Sequence, residues 1–253
     1  MIILVLIALA LLTPIVTFLA LCIKKKKPII ISIDGNIGSG KSTLINILKD
    51  EFRFDENIIF LDEPVNEWLQ INDGTTNILD YFYNDKKRWA YTFQNLAFIT
   101  RSKLLINSVE NNYTHFFQKR KIIITERSIE TDKNIFAKML YDEKLINEIE
   151  YKIYDYWYNM KLHDITVSNV IYLRTTPNDA YNRIQLRNRP EEKSISYDYL
   201  QTIHNYHDRW LVDENNSNIC YLNGTDDFLN NKEIKNNIIK SINVFIHSLQ
   251  SRL

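Results

Sequence analysis

Cysteine is scarce in this sequence, which contains only Cys22 and Cys220. Neither residue has a metal-like spacing, so a disulfide framework and a cysteine metal site are excluded, as expected for a reducing compartment. A charge excess of one sign is also lacking, because Lys+Arg and Asp+Glu both number 31. Overall basicity therefore gives no indication of a nucleic-acid partner, and we expect none.

Charged side chains are absent from residues 1–23, an apolar stretch followed at once by the lysines of positions 24–27. As a helix this stretch would rise about 30 Å, enough to cross a bilayer, and Pro14 is tolerable there. The positive-inside rule places the lysines and the following domain on the cytoplasmic side. We therefore expect a single-pass transmembrane anchor over residues 1–23 and a basic juxtamembrane linker over 24–28.

Two alternatives for this leader are weaker. A cleaved signal peptide would have a basic start and a shorter apolar run, and the lysine block would resist export. A lipoprotein site at Cys22 fits poorly, because Leu21 before it is not small. The remaining residues, 29–253, have the size of one α/β domain.

From position 29 onward, apolar runs alternate with stretches of helical periodicity. The pattern predicts a parallel five-stranded sheet flanked by helices on both faces, with ligands beyond the carboxyl ends of the strands. The predicted strands are 29–34, 58–61, 121–125, 169–173 and 218–222. The predicted helices are 41–50, 77–111 (one or two), 132–141, 144–163, 177–187, 196–212 and the tail from 232.

The first strand leads into a glycine-rich loop that opens a helix, the context that identifies a P-loop. Its backbone N–H groups would bind phosphates, Lys41 would reach the β- and γ-phosphates, and Ser42 would bind Mg²⁺. On its own this motif leaves kinase, ATPase and GTPase open. Its residues are Gly35, Asn36, Ile37, Gly38, Ser39, Gly40, Lys41, Ser42 and Thr43.

Carboxylates and arginines follow the next strands. Glu63, before Pro64 and Val65, ends the second strand and could serve as a base for an acceptor hydroxyl. Glu126 and Arg127 end the third strand and could hold a Mg²⁺ shell and a phosphate. Taken singly, each also fits an exposed glutamate or a surface ion pair.

A basic segment lies near the end of the helix predicted at 177–187. Arg183 and Arg187 are four residues apart, hence on one helix face, and Arg189 follows. Three guanidiniums near one point would suit the charge of a transferring phosphoryl group, so this segment is predicted to form an arginine-bearing lid. A solvated basic face is the alternative.

Five ordered motifs together resemble the deoxynucleoside kinase family, which includes deoxycytidine, deoxyguanosine and mitochondrial thymidine kinases. The resemblance runs from about Ile29 to the C-terminus. It rests on GNIGSGKST, EPV with a following tryptophan, RWAYTFQ with an arginine seven residues after the glutamine, ERS with a downstream aspartate, and IYLRTTP continuing to RIQLRNRPEE. Thymidylate kinases share the P-loop but usually differ at the EPV and ERS positions.

This resemblance implies ATP or another nucleoside triphosphate as donor, Mg²⁺, a deoxynucleoside acceptor and a possible homodimer. Glu63 would be the base for the 5′-hydroxyl, Arg127 would steady that hydroxyl, and Ser42 with Glu126 would serve Mg²⁺. The acceptor base would contact Gln94, Trp68, Phe93, Ala97 and Phe136, and the sugar would contact Tyr83 and Glu192. The donor phosphates would be bound by Arg183, Arg187 and Arg189. The donor base would be touched by Asp227 and Phe228. By themselves, Phe93 and Phe136 would be taken as core residues.

Arg101 and Asp132 occupy the positions where the deoxycytidine and deoxyguanosine branch carries a charged pair above the base. The resemblance therefore favours deoxycytidine or a deoxypurine over thymidine. Two other functions stay open, a nucleoside-monophosphate kinase and a non-catalytic membrane-bound nucleotide-binding protein. A membrane anchor is unusual for this family, whose members are normally soluble.

Overall fold

The computed structural model describes residues 25–161, 165–213 and 218–251. The strands are β1 Lys25–Lys26, β2 Ile29–Asp34, β3 Ile58–Leu61, β4 Thr114–His115, β5 Ile122–Glu126, β6 Asn169–Arg174 and β7 Asn218–Asn223. The helices are α1 Lys41–Glu51, α2 Val65–Gln70, α3 Ile78–Asn84, α4 Lys86–Asn111, α5 Ile129–Thr131, α6 Lys138–Asp142, α7 Glu148–Lys161, α8 Pro177–Arg187, α9 Tyr197–Asp208 and α10 Lys232–Ser251.

Five strands form one parallel sheet in the order β3-β5-β2-β6-β7, which confirms the predicted fold class. Side chains of β2 alternate between its two faces, as the strand period of two requires. Ile31 and Ile33 pack with α1 and α10, whereas Ile30 packs with α4 and α7. Because both faces are covered, the strands are continuous apolar runs.

Short polar side chains begin several helices. Asn77 accepts hydrogen bonds from two N–H groups of α3, and Asp85 accepts one from Arg88 at the start of α4. Thr176 caps α8, whose first residue is proline, and Ser196 caps α9. These caps satisfy N–H groups that lack partners within the helix, so these helix starts follow from local sequence.

The helix after β5 differs from its predicted form. It begins at Ile129 and contains a π-helical turn, Asp132–Ala137, between α5 and α6. Ser128 and Thr131 form a reciprocal capping box at its start. Such turns recur at functional sites, and this one carries two of the predicted site residues, Asp132 and Phe136.

Three further elements were not expected. Helix α2 follows Pro64, a 3₁₀ turn covers Pro190–Glu192, and β1 pairs antiparallel with β4. Because of the β1–β4 pairing, Lys25 and Lys26 of the predicted linker belong to the folded unit. The predicted anchor over residues 1–23 lies outside the described residues; within those that are described, no helix is long and apolar enough to cross a membrane.

Candidate active site

A cavity of about 770 Å³ lies beyond the carboxyl ends of β2, β3 and β5. Its walls come from the P-loop, α2, α3, α4, the π turn and the segment after α8. Most of the predicted site residues line it: Ile37, Gly38, Gly40, Lys41, Ser42, Thr43, Glu63, Trp68, Tyr83, Phe93, Gln94, Ala97, Arg101, Glu126, Arg127, Asp132, Phe136, Arg187, Arg189 and Glu192. Gly35, Asn36, Ser39, Arg183, Asp227 and Phe228 lie outside its lining.

The P-loop begins the phosphate side of this cavity. Gly40 precedes α1 with φ +99°, and a Cβ there would also press on the Phe228 ring at 3.1 Å. Lys41 is buried and donates to the Asn36 carbonyl at 2.7 Å. Burial, with the charge of Arg127 adding to it, lowers the pKa of Lys41 to about 7. At neutral pH a substantial fraction of the Lys41 side chains is therefore uncharged.

A hydroxyl and a carboxylate meet at the start of α1. Ser42 Oγ donates to Glu126 Oε1 at 2.9 Å. Burial and then the charge of Glu63 raise the pKa of Glu126. The described residues contain no cluster of three or more metal-ligating side chains. A cation here would therefore take one hydroxyl and one carboxylate from the protein, and oxygens from phosphate or water, which suits Mg²⁺.

Glu63 follows β3 and lines the cavity beside two arginines. Arg101 Nη2 lies 2.5 Å and Arg127 Nε 3.3 Å from its Oε1. Burial opposes the charge of Glu63, but Arg127 and Arg101 together hold its pKa below the usual value. Glu63 is therefore an ionised carboxylate at neutral pH.

Arg101 also binds Asp132, through two 2.5 Å contacts from Nη1. Both side chains are almost fully buried, and the Arg101 guanidinium lies 5.4 Å from the Trp68 ring centre. Burial raises the pKa of Asp132 to about 6, although Arg101 opposes that change. The pair forms a charged wall on one side of the cavity.

Arg127 has a left-handed backbone, with φ +62°. Non-glycine residues in this region are strained, and such strain is characteristic of active sites. Its Nη1 donates to the Gly35 carbonyl at 3.0 Å, and its guanidinium lies 4.9 Å from the Phe136 ring centre. Arg127 thus contacts the P-loop, Glu63 and the Phe136 ring at once.

Gln94 lines the cavity together with Trp68, Phe93 and Phe136. Its Oε1 is buried and finds no hydrogen-bond partner within the part of the chain that the structure describes. Phe93 packs edge-on against Trp68, whose Nε1 donates to Thr100. An orphaned amide oxygen beside aromatic rings fits the polar edge of a planar ligand, since a buried acceptor left unpaired is costly.

The three arginines predicted to form the lid have different partners in the structure. Arg187 forms two hydrogen bonds to Glu192, and Arg189 lies 3.7 Å from the same carboxylate. Arg183 instead donates to the Ser39, Gly224 and Thr225 carbonyls. Although it shares a helix face with Arg187, it lies one turn earlier and reaches back over the P-loop.

The loop predicted to touch the donor base lies against the P-loop. Phe228 is buried beside Gly40, whereas Asp227 is exposed and accepts hydrogen bonds from Asn230. Arg183 joins the two segments through the carbonyls that precede Phe228. The three residues therefore border the P-loop from outside the cavity.

Sequence reasoning overlooked a buried carboxylate next to the P-loop, Asp34, and a cavity-lining tyrosine, Tyr199. Asp34, at the end of β2, is fully buried and accepts hydrogen bonds from Ser32 and Thr131. Its position after an apolar run was the available signal. Tyr199 lines the cavity, and its hydroxyl has no partner among the described residues. Nothing in the α9 sequence marks Tyr199 as a ligand-facing residue.

A P-loop at the edge of a five-stranded parallel sheet, facing an ionised carboxylate across one cavity, defines a P-loop phosphotransferase. The profile of the deoxynucleoside kinase family matches residues 31–247. The chain belongs to the deoxynucleoside kinase family.

Individual relatives agree with this assignment. The chain is 38% identical to the probable deoxycytidine kinase FPV151 of fowlpox virus (strain NVSL) over 225 residues, covering 87% of this chain and 88% of the relative. It is 31% identical to the mitochondrial deoxyguanosine kinase of Xenopus laevis over 243 residues, with 87% and 90% covered. Identity to the deoxycytidine kinase of Homo sapiens is 33% over 201 residues, with 72% and 75% covered.

The protein is thus a phosphotransferase that uses ATP to phosphorylate the 5′-hydroxyl of a deoxynucleoside. The nucleoside-monophosphate kinase and the non-catalytic nucleotide-binding protein, both left open by the sequence, are not favoured.

Proposed function

We propose that the preferred acceptor is deoxycytidine or a deoxypurine, with thymidine disfavoured. The observation that carries this proposal is the buried Arg101–Asp132 pair, which lines the same cavity as the orphaned Gln94 Oε1. Buried charges need polar partners. A cytosine amino group or a purine edge supplies them, whereas the thymine 5-methyl would press an apolar group against the pair. The names of the viral and Xenopus relatives support the same choice.

A panel of the four deoxynucleosides with labelled ATP tests this proposal on the full chain. The expected result is a higher kcat/KM for deoxycytidine or a deoxypurine than for thymidine. Thymidine as the best substrate would overturn the base preference and leave the family assignment intact.

Within this reaction, Glu63 receives the proton of the 5′-hydroxyl and Arg127 holds that hydroxyl near the γ-phosphate. Glu63 is ionised and can therefore accept a proton, and the loose transition state of phosphoryl transfer needs positioning more than strong basicity. Tyr83 and Glu192 hold the sugar 3′-hydroxyl. Gln94 pairs with the base edge, and Trp68, Phe93, Ala97 and Phe136 enclose the base.

On the donor side, the P-loop N–H groups and Lys41 bind the phosphates, and Arg187 and Arg189 stabilise the transferring charge. Arg183, Asp227 and Phe228 shape the donor site from outside the cavity. We assign Mg²⁺ to Ser42 and Glu126. Titration of Mg²⁺ against activity, compared between the wild type and Ser42→Ala, tests that assignment; an unchanged Mg²⁺ requirement would contradict it.

A homodimer is supported by an apolar stripe on α7. Ile149, Ile153, Tyr156, Trp157 and Met160 are all exposed there, at helical spacing, and Ile99 is exposed on the adjoining α4. Large exposed apolar patches usually mark interfaces. Light scattering of the wild type and of Ile153→Lys tests this part of the proposal: a dimer that the substitution dissociates is expected, and a monomeric wild type would contradict it.

We also retain the membrane anchor over residues 1–23 as a proposal, carried by 23 residues without a charged side chain. The kinase domain would then lie on the cytoplasmic side. Full-length protein should remain with membranes at alkaline pH, and its release into the supernatant would refute a spanning helix.

A further inference from the structure

Six basic residues meet at the end of the sheet opposite the cavity. Lys25, Lys26 and Lys27 precede β2, separated from it by Pro28 alone, and Lys119, Arg120 and Lys121 directly precede β5. These strands are parallel neighbours, and the Ile29 N–H donates to the Lys121 carbonyl at 2.8 Å. The six residues, with Phe116 and Phe117, are termed the basal face.

The basal face is built into the fold. Pairing of β1 with β4 aligns Lys26 with Thr114, and Lys26 Nζ donates to the Gln118 carbonyl at 2.8 Å. The same ammonium lies 5.7 Å from the Phe116 ring centre. Arg120 Nε donates to the Lys27 carbonyl. Two segments about ninety residues apart thus present their charges together.

Nearby acidic residues offset only part of this charge. Asp55, in the loop before β3, lies 3.2 Å from Lys119. Glu56 follows it, and its backbone carbonyl accepts from Lys121. Phe117 is 63% exposed among the cations. Basic side chains mixed with exposed aromatic rings are typical of surfaces that rest on a membrane interface.

We propose that the basal face docks on an anionic phospholipid surface. The uncharged residues 1–23 end two residues before Lys25, so the adjacent chain is apolar enough to enter the same membrane. Nucleic acid is the other polyanion that a basic face could bind. Exposed phenylalanine and an adjoining apolar segment favour lipid.

Docking in this way orients the enzyme. The cavity lies at the carboxyl ends of strands whose amino ends adjoin the basal face. A six-residue strand such as β2 spans about 20 Å. The cavity would therefore open away from the lipid, and nucleoside and ATP would arrive from the aqueous side.

The test uses the full chain with neutral phosphatidylcholine vesicles and with vesicles containing about 30% phosphatidylserine. Amide hydrogen exchange is measured over residues 114–121, with the lid segment 187–193 as the reference. We expect slower exchange over 114–121 on anionic vesicles only, restored by about 1 M salt. The lid segment should not change.

Each cation near an anionic leaflet strengthens binding by roughly fivefold. The anionic-to-neutral protection ratio should therefore fall by up to about 25-fold in Lys25→Gln/Lys119→Gln. The control Lys87→Gln/Lys232→Gln removes the same charge from exposed sites away from the basal face and should retain the protection.

Equal exchange on both vesicle types would overturn the proposal, and so would equal loss in the two double variants. Protection of 114–121 by a single-stranded oligonucleotide, with none by anionic vesicles, would assign the face to nucleic acid instead. Sedimentation with neutral vesicles separately measures membrane binding through residues 1–23. A failed anchor therefore remains distinguishable from a failed basal face.

Discussion

The acceptor side and the lid side of the cavity hold their charges in different ways. Arg101 and Asp132 are buried and bound to one another, and Arg101 also binds Glu63. On the lid, the Arg187 and Arg189 side chains are 32% and 47% exposed and share one carboxylate, Glu192. The acceptor charges are thus fixed before a ligand arrives, whereas the lid charges have an exchangeable partner.

This difference assigns the two sides different tasks. A preorganised buried network costs little reorganisation during the reaction. The arginines that pair with Glu192 are partly exposed, so water screens their charges more than it screens the buried Arg101–Asp132 pair. Under the proposed roles, the acceptor would meet a preorganised wall, and the donor phosphates would meet arginines that are more open to solvent.

The largest expected effect removes the acceptor carboxylate. Glu63→Gln keeps the shape but not the charge, so kcat should fall by about 10²–10⁴-fold with the KM for ATP nearly unchanged. Steady-state kinetics with both substrates measure this. Glu67→Gln, on the exposed side of α2, is the matched control and should behave as wild type. A near-normal kcat in Glu63→Gln would remove Glu63 from the proposed role.

Next in size, a pair of lid variants separates arginines that are one helical turn apart. Arg187→Gln should lower kcat by about 10²–10³-fold, because a positioned charge-stabilising donor is lost from the cavity. Arg183→Gln should mainly raise the KM for ATP, because Arg183 ties the P-loop to the 224–225 loop outside the cavity. Equal losses of kcat in the two variants would contradict the distinction drawn between them.

The backbone elements of this molecule follow from the sequence more fully than the contacts of its side chains do. Strand bounds and the capped start of α8 follow from apolar runs and from Thr176 and Pro177, which act locally. The P-loop could be recognised because its glycines and lysine are contiguous. The 1–23 anchor and the individual residue roles remain predictions.

What the sequence could not supply depends on contacts between distant segments. The π turn that presents Asp132, and the pairing of β1 with β4, are set by tertiary packing and have no local signature. Arg183 and Arg187 share a face by spacing, yet their acceptors come from different segments. Helical periodicity gives the direction of a side chain but not the partner it finds.

The third prediction concerns the rigid wall. Replacing both members of the buried pair, Arg101→Met with Asp132→Ala, should move kcat/KM towards thymidine by about 10–10³-fold relative to deoxycytidine. The 5-methyl group would then meet apolar side chains. The panel of four deoxynucleosides measures the shift. If the double variant keeps the wild-type order of substrates, the Arg101–Asp132 pair does not determine base choice.

The single variants are informative controls. Asp132→Ala alone leaves the Arg101 charge with only Glu63, and loss of one partner from a buried pair typically costs about 3–5 kcal/mol. Thermal unfolding should therefore show the single variant less stable than the double variant. If the two unfold alike, the pair contributes little to the stability of this wall.

The smallest expected effect is a pH dependence of donor binding. Because burial lowers the pKa of Lys41 to about 7, this lysine is increasingly neutral in the free enzyme as pH rises above 7. ATP phosphates favour the charged form, so binding should take up a proton, and the Kd for ATP should rise by at most about tenfold per pH unit between 7 and 9. Calorimetry in buffers of different ionisation enthalpy measures the uptake directly. Lys41→Arg keeps its charge throughout this range and should bind ATP with little pH dependence. An equal pH dependence in Lys41→Arg would assign the titration to another group. The nearest candidate is Glu126, whose pKa is raised by burial and by the charge of Glu63.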